Sequence, residues 1–309
     1  MTKKYEFTGE TKDWFGLTLK QIRAVRDFTL KSGIKVTKGD LGGWIEKEEN
    51  LSQEDSAWVS GDAHVYGDAK VSGDTEISGD ARVGGNARVY GNARVGGHAK
   101  VHGKAQVYGD VEVCGNAQVY GNALVFGNAK VSGNAQVFED AEICVYAKVF
   151  GDAWVYGEAM VYDNAMVYGN ARVYGDVTVS GNAEVYGNAR VYGDALVCGD
   201  ATVYDGARVY GNAEVYGIVR VYGYALVCGD AKVEKVSDVI WFKNIWSSNR
   251  TFTYTRSNGK WAVGCFHGTG EELIKKAYAD SEKSGKCYEA IVRATEEIYK
   301  AIENKEETK

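Results

Sequence analysis

From Ala57 to Val233 the chain repeats a six-residue unit thirty times without gaining or losing a residue: Gly, Asn or Asp, Ala, a variable residue, Val, then Tyr or another residue. Counting from Val59, every sixth residue to Val233 is Val except Ile77 and Ile143. The residue two before it is Ala except at Thr75, Val111, Val177 and Val219. A period this short and this strict overrides the one or two globular domains that 309 residues would otherwise suggest. It leaves a solenoid, in which each unit contacts only its neighbours and the core is a long thin column.

Within a unit the order Ala, x, Val, Tyr alternates inward and outward with the period of a β-strand. Gly followed by Asn or Asp then makes a sharp corner, both residue types tolerating positive φ. Three such sides close a triangular coil of eighteen residues. Thirty units therefore predict about ten coils, stacked about 4.8 Å apart into a rod of about 48 Å. Small Ala beside larger Val fills the narrow interior. The expected fold is an all-β solenoid, a hexapeptide-repeat parallel β-helix, over residues 53–234, with a head at 1–52 and a C-terminal piece at 235–309.

The head reads as a small β cap. Tyr5 and Phe7 alternate as a short strand, and residues 17–28 suit strand or helix. The Gly-rich run 38–46, with bulky Trp44 and Ile45, suits a plug over the first coil, because the open end of a parallel stack is an exposed edge. After Val233 the period stops and an α+β cap is expected. Residues 239–246 are apolar and aromatic, 251–256 alternate as a strand, Asn258-Gly259 suit a type I′ turn, and 261–266 return. Thr269 with Glu272 forms a capping box that starts a helix to about Asp280. A second helix, about 286–303, carries Tyr288, Ile291, Thr295, Ile298 and Ile302 on one stripe, for packing onto the hairpin or for oligomerisation.

The eighteen-residue period aligns outward residues into columns. On a first side Arg172, Arg190 and Arg208 stack, flanked by Tyr174, Tyr192 and Tyr210. Like charges at that spacing repel by about 1 kcal/mol or less per neighbour in water, so an anion would relieve them. Arg beside Tyr offers cation-π contact and suits phosphate binding with base stacking, which makes these six residues the candidate ligand face. A ladder that binds nothing is the competing reading. A second side carries Leu124, Met160 and Leu196 with Phe126 and Tyr162, interleaved with Glu142, Thr178 and Glu214, and is the candidate subunit contact. A third side carries Tyr168, Tyr186, Tyr204 and Tyr222 in a row, which cross-strand stacking accounts for.

At the head the fragments Ala24-Val-Arg-Asp-Phe28, Gly42-Gly-Trp-Ile-Glu46 and Asn50-Leu-Ser52, followed directly by hexads, resemble the YdcK-like hexapeptide-repeat proteins of bacteria and their phages. The repeats also resemble the wider left-handed β-helix superfamily of the LpxA-like shape, which includes acyltransferases and γ-class carbonic anhydrases. These resemblances imply left-handed coils, a phage or prophage setting and a homotrimer. They bring no catalytic residues. The repeat itself does not imply the hand, since parallel crossovers are generally right-handed.

The chemistry of the chain narrows the function. A net charge of -6 and a pI near 5.4 argue against a generally basic nucleic-acid binder. The start lacks an apolar h-region and no stretch reaches transmembrane length, so a cytoplasmic protein is expected, in the host cytoplasm if phage-encoded. The six cysteines lack metal spacing and read as free thiols. Acyltransferases of this shape insert a loop beside a catalytic His, and the unbroken phase leaves no such loop. His64, His98, His102 and His267 share no column that would build a zinc site. The corner acids Asp62, Asp68, Asp74 and Asp80 lack the spacing of calcium β-rolls and serve the turns. No catalytic residue, metal or cofactor is expected. The reading is a non-enzymatic rod that engages a host protein or an anionic ligand, nucleotide or nucleic acid, along its flat faces, with inhibition of a bacterial defence system as a role that fits. An acyltransferase-type enzyme and a self-assembling phage component are the alternatives.

Overall fold

A computed structural model describes residues 3–244 and 250–306. Among them, thirty short strands, β6 (Trp58–Val59) to β35 (Lys232–Val233), follow the repeat one per hexad. Each pairs in parallel with the strands eighteen residues away, as Val83 does with Val65 and Val101, and the strands form three flat sheets. The first side holds the column from His64 to Leu226, the second that from Lys70 to Lys232, and the third that from Trp58 to Arg220. Inward Val and Ala are fully buried along the whole rod. Thr75, at an Ala position, is buried with its hydroxyl donating to the Ser72 carbonyl at 2.7 Å.

The stack begins earlier than the strict repeat. After β1 (Tyr5–Trp14), β2 (Leu17–Ala24), β3 (Phe28–Thr29) and β4 (Lys35–Val36), strand β5 (Leu41–Ile45) pairs in parallel with the first rod strand of the first side, Ile45 opposite Val65. Leu51 bridges Val71 in the same sense. Ile45 and Leu51 thus add two sides above the thirty, which with Val59 make up a first turn and bring the stack to nearly eleven turns, with twenty residues rather than eighteen between Ile45 and its partner. Those two added residues broke the phase and hid the turn from sequence reasoning. The ambiguous segment 17–28 is a strand as far as Ala24, and β1 extends well beyond Phe7 through a bulge at Gly9 (φ 95°).

Antiparallel β1 and β2 continue the first sheet upward, so that it has thirteen strands. Lys4 closes the top of the column: its buried Nζ donates to the carbonyls of Asp55 (2.9 Å) and Ala57 (2.6 Å) and lies 3.5 Å from the Asp55 carboxylate. Those carbonyls have no coil above to pair with, and a buried unpaired carbonyl is costly. Burial lowers the Lys4 ammonium to about 8 against the pull of Asp55.

Below the rod, β36 (Val239–Lys243), β37 (Thr251–Thr255), β38 (Lys260–Val263) and β39 (Phe266–Gly268) form an antiparallel sheet, packed by α1 (Gly270–Asp280) and α2 (Glu282–Glu306). The Thr253 hydroxyl accepts from the Leu226 amide at 2.8 Å, and the Ser257 hydroxyl from the Lys232 amide at 2.7 Å, pairing two amides of the lower edge. Residues 245 and 246 of the expected apolar run lie outside the described residues. The turn between β37 and β38 differs from the type I′ expectation. Thr255 pairs with Lys260, leaving a four-residue connection in which Gly259 alone has positive φ, whereas type I′ needs two such residues. The capping box at Thr269 and Glu272 forms as expected. On α2 the expected stripe holds at Tyr288 and Ile291, which pack against the hairpin core, and at buried Thr295, but Ile298 is exposed and its neighbour Tyr299 is buried instead, its ring reaching Tyr254.

The corners correct another expectation. Gly alone takes the left-handed conformation, and the following Asn or Asp does not. The Asn side chains instead form ladders, as where Asn116 donates to Asn134 and Asn134 to Asp152, both at 2.9 Å. Four corners place another residue at positive φ: Glu139, Val145, Asp163 and Asp205. The three acids each accept a hydrogen bond from the glycine amide one coil on (Gly157, Gly181, Gly223). Branched Val145 has no such compensation, and this conformation costs a non-glycine residue about 1–3 kcal/mol.

Candidate functional site

The three sides share one core and differ only in what the outward positions carry. On the first side the pairing places Arg172 directly beside Arg190, and Arg190 beside Arg208. All three are exposed, and none forms an ion pair with the described residues. The column from His64 to Leu226 contains no acid at all. Of Arg172, Arg190 and Arg208, among the described residues only Arg172 makes a cation-π contact, over the Trp154 ring 4.8 Å from its centre and not on a tyrosine, while Arg82 higher in the column lies 4.6 Å over the Trp14 ring.

The aromatic residues beside that column form a continuous stack from His102 through Tyr120, Phe138, Tyr156, Tyr174 and Tyr192 to Tyr210, with centres 4.7–5.1 Å apart and planes within 8°. Each inner ring therefore has both faces covered. Inserting a base would require about 7 Å, two van der Waals contacts in sequence, so this face offers a ligand ring edges and hydroxyls rather than stacking surfaces. Gly84 replaces the aromatic above His102 because the Tyr66 ring lies over it, 2.4 Å from where a Cβ would be. At the lower end Tyr210 meets Cys228, and burial followed by that hydrogen bond raises the tyrosine's pKa.

At the top of the same side, His64 is buried under the hairpin of β1 and β2. The Trp14 ring meets it edge-on at 4.3 Å, and Lys12 Nζ lies 3.3 Å from its Nε2. Its Nδ1 is buried with no partner among the described residues. Burial first, then the charges of Lys12 and Arg82, opposed by Asp62 and Asp80, bring its pKa down to about 4. His98 is separate, 3.0 Å from Asp80, and His102 belongs to the stack. Among the described residues no three or more His, Cys, Asp or Glu group as metal ligands.

On the second side Leu124, Met160 and Leu196 share a column in which Glu142 and Thr178 alternate with them. Phe126 closes a short stack below Tyr90 and Tyr108, and Tyr162 lies further down the same column.

The third side has a division that reading the tyrosine row alone missed. Its upper five rungs carry Ser60, Ser78, Gly96, Cys114 and Ser132, and its lower five carry Phe150, Tyr168, Tyr186, Tyr204 and Tyr222. The lower rings stack at 4.7–5.5 Å and end against Trp241. The eighteen-residue alignment exposes this split, provided the small residues are read as carefully as the large ones. The neighbouring column alternates in charge from Glu76 through Arg94 and Glu112 to Lys130, and Lys130 pairs with Glu112 at 2.9 Å.

These features define the class as a parallel β-solenoid with flat, ladder-bearing sides and a cap at each end. Rungs at residues 81–97, 117–133, 159–173, 171–185 and 183–199 match the model of the YdcK beta solenoid repeat, so those stretches of the rod are YdcK-type β-solenoid repeats. No curated protein matches the chain.

Proposed function

We propose that the protein is a non-catalytic binding rod that holds an acidic partner along its first side. The observation behind this reading is the register of Arg172, Arg190 and Arg208: three exposed guanidinium groups on successive rungs, without an ion pair among the described residues. Arginine presents a rigid fork of donors that suits carboxylates and phosphates. The covered faces of Tyr174 and Tyr192 favour carboxylates on a flat protein surface over nucleobases. The partner we envisage is a host protein in the cytoplasm of a bacterium carrying this gene on a phage or prophage, bound so as to inhibit a defence system. The resemblance of the head fragments Ala24-Val-Arg-Asp-Phe28 and Gly42-Gly-Trp-Ile-Glu46 to YdcK-like proteins of bacteria and their phages is what suggests that setting.

The test uses labelled poly-glutamate and a single-stranded DNA oligomer as probes. Poly-glutamate should bind, weaken with salt and lose affinity at least tenfold when Arg172, Arg190 and Arg208 are all changed to Glu. The same reversal at Lys70, Arg88 and Lys232, on the second side, should matter much less. Undiminished binding by the first triple variant would remove the proposal, and tighter binding of the DNA would redirect it to nucleic acid.

A further inference from the structure

The geometry points to the third side as an interface with a second copy of this chain, the two rods lying antiparallel about a two-fold axis perpendicular to their length. Such an axis lays each outward column against the same column of the partner, run backwards. For the ring column this pairs every small rung with a large one. The ring of Tyr222 comes to Ser60, Tyr204 to Ser78, Tyr186 to Gly96, Tyr168 to Cys114 and Phe150 to Ser132. Five rungs with side chains of at most two heavy atoms thus receive five stacked rings, twice over. A parallel arrangement would set this column against the charged one instead.

In the same register the charged column gives one opposite-charge pair and one like-charge pair per half. Arg94 on the third rung meets Glu184 on the eighth, again twice by symmetry. Within one rod these two residues are five rungs apart, about 24 Å, and do not touch. The central rungs set Lys148 against the partner's Lys130, a like-charge cost that Glu112 beside Lys130 reduces.

The ends of the side match as well. At the top, Ile34 and Leu41 are 58% and 59% exposed beside a groove of about 330 Å³ that includes Asp40 and Glu76. At the bottom, Val236 is 77% exposed beside a groove of about 270 Å³ lined by Arg220, Tyr222 and Trp241. Antiparallel copies bring apolar end to apolar end and the acids to Arg220. A side about 48 Å long and about 15 Å wide buries about 1,400 Å² over both copies, within the range of stable interfaces. The first side, with its arginine column, stays open in this dimer, so the inference does not depend on the proposed function.

Sedimentation of the full chain tests it. We expect a dimer at micromolar concentration. Arg94→Glu and Glu184→Arg should each weaken it at least tenfold, and the double variant should restore it to within about threefold. That rescue has no explanation within a single rod. Lys148→Glu should tighten the dimer, and Gly96→Tyr, which fills the hollow, should weaken it. A monomer or a trimer for the unaltered chain would overturn the inference, as would a dimer indifferent to the single swaps or not restored by the double one.

Discussion

The first and third sides are laid on the same valines, at the same rung spacing and with the same corners, yet they treat charge in opposite ways. The third side alternates Glu and Arg or Lys over its upper rungs, so each charge finds its opposite one coil away, as Lys130 finds Glu112. The first side has only cations and neutral residues, and its arginines face one another. The core cannot cause this difference, since inward Val and Ala are equally buried beneath both. The repeat fixes the fold through the inward positions and leaves the outward ones free. A side without internal compensation is then a candidate for compensation from outside.

The contrast is sharpest at the top of the rod, where the first side ends in His64 and the third in Trp58. His64 has Lys12 and Arg82 as its cationic neighbours and Asp62 and Asp80 as its acidic ones, and its folded pKa of about 4 lies below the ordinary value of 6.5. Because the folded value is depressed, the unfolded chain binds the proton first. Stability is complete above about pH 6.5 and falls as pH drops towards 4, by about 2–3 kcal/mol over that window. Urea denaturation across this range should show that loss, and His64→Phe should flatten it. An unchanged profile in His64→Phe would mean that the cationic top of the first side does not govern acid stability.

A smaller effect separates the two aromatic ladders. Tyr192 and Tyr186 each sit between two stacked rings, one on the first side and one on the third. Replacing either by Ala should cost about 2 kcal/mol in lost burial and ring contact. The Tyr192→Ala penalty should be the same at low and high protein concentration. The Tyr186→Ala penalty should grow with concentration, because it also removes a dimer contact that stabilises the native rod by mass action. Thermal midpoints at about 2 and 200 µM would measure this. Equal concentration dependence in both variants would break the distinction between the sides.

Much of this was legible in the chain because a strict period converts sequence distance into space. The stacking of Arg172 on Arg190 follows from a difference of eighteen, and so does the third-side tyrosine row. What escaped was whatever the period does not carry. The two added sides at Ile45 and Leu51 were hidden by two extra residues, and Lys4 reaches the top of the column from over fifty residues away. His64 looks like any outward residue until the hairpin covers it. The corner chemistry was half legible: Gly at positive φ could be read, but Asn serves through its side-chain ladder rather than its backbone. The ring faces were misjudged for a related reason, since a column of tyrosines in sequence does not reveal that each ring is covered by the next.

The smallest effect tests the electrostatic contrast itself, by making the same kind of change on each side. Arg190→Glu turns three like charges into an alternating trio and should stabilise the rod by about 0.5–1 kcal/mol at low salt. Glu112→Lys does the reverse on the third side: it removes the partner of Lys130 and sets a new cation between Arg94 and Lys130. That should cost about 0.3–1 kcal/mol. Both shifts should shrink as salt rises past about 0.15 M, where the screening length approaches 8 Å. Chemical denaturation at two salt concentrations would resolve them, and the signs matter more than the sizes. Two effects of the same sign would show that the arginine column is already compensated within the chain, leaving no electrostatic reason for an acidic partner.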